Sequence, residues 1–78
     1  MTTYSKKTQD YINEKGSLQA AKDSIDDDIE DVELEMEDYR QLLEESTTEK
    51  DKDENEENLM LATQRRDALN DIKSEIGA

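Results

Sequence analysis

Residues 18–43 read Leu-Gln-Ala-Ala-Lys-Asp-Ser-Ile-Asp-Asp-Asp-Ile-Glu-Asp-Val-Glu-Leu-Glu-Met-Glu-Asp-Tyr-Arg-Gln-Leu-Leu. Leu18, Ile25, Val32 and Tyr39 recur every seven positions, and Ile29, Met36 and Leu43 form a second series offset by four. Spacings that alternate three and four keep one seam of a helix facing another helix. Between the apolar positions lie Asp23, Asp26, Asp27, Asp28, Glu30, Asp31, Glu33, Glu35, Glu37 and Asp38. The stretch is therefore a helix with a narrow apolar edge on a strongly negative body.

Upstream, Tyr11 and Tyr4 continue the stripe one and two heptads earlier, while the offset positions Thr8, Lys15 and Lys22 are polar. Gly16-Ser17 sits at the junction. Ser17 can cap a helix that begins at Leu18, or the glycine can sit inside one long helix at a cost of ~1 kcal/mol. Because the heptad phase survives across the junction, the sequence predicts one helix over about residues 3–46, bent if anywhere at Gly16.

Downstream, residues 46–58 contain no apolar side chain, and their Ser, Thr, Asp and Asn favour turns and caps. The pattern resumes with Leu59, Leu61, Ala62, Ala68, Leu69, Ile72 and Ile76, out of phase with the first stripe. An acidic polar turn over about 47–56 and a second helix over about 57–76 follow. The expected fold is all-α: one domain, 1–78, forming an antiparallel helical hairpin or coiled coil. Centring the turn near Asp51 sets Tyr39 near Ala62, Val32 near Leu69 and Ile76 near Ile25. Tyr4, Tyr11 and Leu18 are then left without an intrachain partner, so this overhang is expected to meet another chain or to fray.

Composition bounds the function. Leu, Ile and Val number 13 of 78 residues with no Phe, and the formal charge is −13; such a chain holds at most a small core. The charge is concentrated, since residues 23–57 carry eighteen acids against Arg40, Lys50 and Lys52. Cysteine and histidine are absent, which removes disulfides and the usual zinc ligands. Met1 to Lys7 precede no apolar run, so no secretory signal is read, and nothing approaches the ~20 apolar residues of a membrane span. A cytoplasmic protein, in a cell or a phage-infected host, is expected. It should bind neither membrane nor nucleic acid directly, because an acidic surface repels both.

Asp51, Asp53 and Asn55 match the first, third and fifth positions of the EF-hand calcium loop, but Glu56 and Ala62 stand where that family needs Gly and a bidentate Glu. The match stops there, and a solvated turn is expected instead. Asp26-Asp27-Asp28 point about 100° apart on a helix and do not converge on one ion. No cofactor or metal is therefore called for. Without His or Cys, and without a dry pocket to shift carboxylate pKa values, no enzyme is expected.

Lys15 and Lys22 have two readings: stems that cover the seam with ammonium groups in water, or polar seam residues that select register against facing acids. The acid run also has two. It either keeps the chain soluble or imitates nucleic acid: ten carboxylates over a helical span of ~24 Å give one charge per ~2.4 Å, against ~1.7 Å for duplex DNA. The primary expectation is a non-enzymatic acidic coiled-coil module that homo-oligomerises or docks on a basic or helical protein partner. Its seam is Tyr4, Tyr11, Leu18, Ile25, Ile29, Val32, Met36, Tyr39 and Leu43. The alternative is a phage-type acidic inhibitor, a nucleic-acid mimic whose face is the ten carboxylates named above.

Overall fold

A computed structural model describes residues 3–77; Met1, Thr2 and Ala78, which the single-domain reading includes, lie outside the described residues. The described chain is all-α. Three helices follow one another: α1 (Lys6–Lys15), α2 (Leu18–Glu45) and α3 (Glu49–Ile76). Each starts on a hydroxyl cap. Ser5 accepts from the Thr8 amide, Ser17 from the Ala20 amide and Thr48 from the Asp51 amide, so each satisfies an amide that has no helical acceptor. α1 and α3 end on Gly16 and Gly77, both left-handed, a conformation glycine enters without a Cβ penalty.

The single helix expected over 3–46 is in fact two. Gly16 (φ 100°) and an extended Ser17 turn the chain between α1 and α2. The turn lets α1 fold back onto the other helices, which buries more apolar surface than one straight helix would in a lone chain. Tyr11 is consequently buried in one cluster with Ala21, Ile25, Ile29, Ile72 and Ile76, and Tyr4, Ile12 and Leu69 pack against it. Tyr4 and Tyr11 thus have the intrachain partners that the sequence reading denied them, whereas Leu18 remains 37% exposed.

The turn between the longer helices is also shorter than expected. Only Ser46, Thr47 and Thr48 separate α2 from α3, and the polar stretch 49–58 is helical. Thr48 caps that helix, and Glu49 and Asp51 lie in its first turn, where carboxylates favour the positive end of the helix dipole. α2 and α3 are consequently equal at 28 residues each, not long and short. Asn55 Nδ2 donates to Ser46 Oγ at 3.0 Å, so the first turns of α3 run past the end of α2 and bury little. That is why they need no apolar side chain.

A second cluster joins Val32, Met36 and Ala62, with Tyr39, Leu59 and Leu69 against it. Ile72 and Ile76 thus meet Ile25 and Ile29 at one end, while Ala62 meets Val32 and Met36 further along. Contacts run in opposite order along the two helices. The result is an elongated body, 53 × 19 × 17 Å, three helices thick at its base and two beyond it. Among the described residues no helix is long and apolar enough to cross a membrane.

Candidate interaction surface

Three polar groups fasten α1 to the base. Tyr11 Oη donates to Asp28 Oδ2 at 2.5 Å, and Lys15 Nζ lies 3.1 Å from the same oxygen and 5.3 Å from the Tyr11 ring centroid, near enough for a cation–π contact. Burial, then the hydrogen bond to Asp28 and the charges of Asp28 and Glu14, push the Tyr11 hydroxyl well above its ordinary pKa. Burial pushes Asp28 up as well, but hydrogen bonds from Tyr11 and Lys15 outweigh it and hold the carboxyl below its usual range. Lys15 thus has a facing acid in Asp28.

The other fastening is at the opposite end of α1. Glu75 accepts from the Ser5 amide at 2.8 Å and the Ser5 hydroxyl at 2.6 Å, and also from the Thr8 hydroxyl. Those bonds, with the nearby Lys7 charge, bring Glu75 down to about 2. Thr8 is fully buried yet satisfied. Lys7 Nζ adds a 2.8 Å contact to Asp71. α1 is a short lysine-bearing helix held on carboxylates of the two longer helices.

Beyond α1 the same side of the α2/α3 pair is open. A groove there is lined by Tyr11, Glu14 and Lys15 of α1, the apolar Val32, Ala68 and Leu69, and the charged Asp28, Asp31, Glu35 and Arg65. A second hollow, lined by Tyr39, Leu61 and Gln64, shares Arg65 and Ala68 with the first. The two hollows are thus neighbours, and Arg65 pairs with Glu35 at 2.5 Å beside them. Leu61 is 49% exposed there.

The structure brings the predicted seam together only in part. Ile25, Ile29, Val32 and Met36 are buried in the two clusters, Tyr39 and Leu43 are half-buried, and Leu18 stands out on the surface. Of the ten acids, Asp26 pairs with Lys73 at 2.6 Å, Asp28 with Lys15 and Glu35 with Arg65. Asp23, Asp27, Glu30, Asp31, Glu33, Glu37 and Asp38 are exposed, and no ion pair involves them among the described residues. Also among the described residues, no three acidic side chains gather as a metal site would need. Arg65 in the groove, and the pairing of Thr8 with Glu75, were not singled out in the sequence. Leu61, Ala68 and Leu69 were visible as apolar positions of the second pattern, but the Thr8–Glu75 clamp joins residues 67 apart and leaves no local pattern. Searches against protein-family models, curated proteins and solved structures return no match to this chain.

Proposed function

We propose that this protein is a non-enzymatic, acidic helical interaction module whose open α2/α3 groove takes a basic helical segment of a partner protein. One observation carries the reading. α1 already covers part of the α2/α3 pair with a tyrosine among apolar side chains and lysines on Asp28 and Asp71, and the hollow beside it is lined by Val32, Ala68 and Leu69 together with Glu14, Asp31 and Glu35. Amphipathic helices lodge in such grooves by one apolar stripe, and opposite charge steers the encounter. The module needs no cofactor, and on this reading it works in the cytoplasm of a cell or phage-infected host.

The seven acids of the predicted face that are exposed and in no ion pair among the described residues support a second reading, an acidic mimic of nucleic acid that occupies the basic groove of a DNA- or RNA-binding protein. One experiment separates the two. A lysine–leucine amphipathic helical peptide and a scramble of the same composition are titrated against the protein by calorimetry, from about 0.05 to about 0.5 M salt. Groove docking predicts that the amphipathic peptide keeps binding at high salt while the scramble does not. If both peptides bind equally and weaken together, binding depends on charge alone and the groove reading fails.

A further inference from the structure

We propose that α1 exchanges between two copies of this chain, with Gly16-Ser17 as the hinge. Opening it fuses α1 and α2 into one straight helix from Lys6 to Glu45 and seats α1 on the α2/α3 base of the second copy. This goes beyond the docking reading and does not rest on it.

Gly16 is left-handed and Ser17 extended, but helical bonds flank the hinge on both sides. The Gly16 amide donates to Ile12 O at 2.9 Å and the Ala21 amide to Ser17 O at 3.0 Å, both bonds that a continuous helix would keep. Between them only the amides of Ser17, Leu18, Gln19 and Ala20 lack a helical acceptor, and just one of these, Ala20, is met by the Ser17 hydroxyl cap. Straightening supplies the carbonyls of Asn13, Glu14, Lys15 and Gly16 in exchange for that one cap.

Leu18 gives the second reason. It stands seven residues from Tyr11 and seven from Ile25, both buried, yet is itself 37% exposed. In a straight helix the three share one stripe, and Leu18 falls between two sites that are covered. Finally, the polar contacts that hold α1 all reach carboxylates of the longer helices: Asp28, Asp71 and Glu75. A second copy offers the same groups. Exchange therefore retains these contacts and adds the hinge bonds, while bringing two copies together opposes it, so concentration decides.

Gly16→Ala tests the proposal. Nothing lies within 4 Å of a Cβ there, so the substitution acts through the backbone alone. An L-residue is strained at φ 100°, and alanine is the better helix former once the hinge opens. The two effects favour the straight form about thirtyfold per copy, and should tighten the dimer about a thousandfold. Light scattering should show the mass rise from 9.0 kDa to twice that. Because the chain has no cysteine, Lys7→Cys with Asp71→Cys and a short bis-maleimide reports where α1 sits. The bridge should form within one chain in the parent and between chains in the Gly16→Ala background. A Gly16→Ala protein that stays monomeric at its highest soluble concentration, or a dimer bridged only within chains, overturns the proposal. Should Gly16→Ala fail to fold, the parent cysteine pair decides: its bridges should pass from within chains to between chains as concentration rises, and no such passage overturns the exchange.

Discussion

Replacing Tyr11 probes the feature that separates this fold from a plain hairpin. The ring is 7% exposed in the base cluster, and its hydroxyl donates to Asp28. Tyr11→Phe keeps the ring and removes one hydrogen bond to a charged group, a loss of about 1.5 kcal/mol at the low end for such bonds. In a domain of this size that lowers Tm by roughly 6–12 °C. Tyr11→Ala removes the ring as well, at about 3–5 kcal/mol for a buried aromatic. A ten-residue helix does not persist alone, so α1 should detach and unravel instead of pulling the whole fold down. Circular dichroism should then lose about a seventh of its helical signal, the share of α1's 10 residues beside the 28 each of α2 and α3. Amide exchange over residues 6–15 should approach the unprotected rate, while Ile25, Val32 and Ile72 stay protected. Unchanged protection over residues 6–15 in Tyr11→Ala would refute the claim that Tyr11 anchors α1.

Two other outcomes follow from the same contacts. Val32→Asp places an unpaired carboxylate at a site 8% exposed, at a cost of several kcal/mol, so helicity should largely collapse, whereas Glu30→Ala on the exposed side should leave the melt unchanged. Acid should destabilise the base: Asp28 and Glu75 have folded values below their ordinary 3.8 and 4.5, so their stabilisation is complete above those values and is lost as pH falls through the lowered ones. For Glu75 the window runs from 4.5 to about 2; Tm measured across it should fall, and Glu75→Gln should flatten the fall.

The buried residues of α2 were legible because their signal is local. Ile25, Ile29, Val32 and Met36 repeat at three and four, and no other arrangement of that stretch buries all of them at once. The bend at Gly16 was not legible for the opposite reason. The heptad phase runs through it unbroken from Tyr4 to Ile25, and the choice between bent and straight depends on what α1 meets in three dimensions. Thr8 shows the same limit, since a threonine on the seam reads as a weak point until Glu75, from the far end of the chain, is seen to satisfy it. The early turns of α3 misled through composition. Residues 49–58 look like a loop because they have almost nothing to bury, but the Thr48 cap and the acids of the first turn are enough to start a helix there.

The groove was legible only as unassigned apolar residues, because it arises where α1 stops and not from any one segment. A titration of the isotope-labelled protein with the lysine–leucine amphipathic peptide, followed by NMR, tests its role most directly. Docking predicts shift changes confined to Val32, Tyr39, Leu61, Arg65, Ala68 and Leu69, with methyl signals of Val32 and Leu69 in contact with peptide leucines. Changes spread instead over Asp23, Asp27, Glu30 and Asp38, with those methyls unmoved, would contradict it.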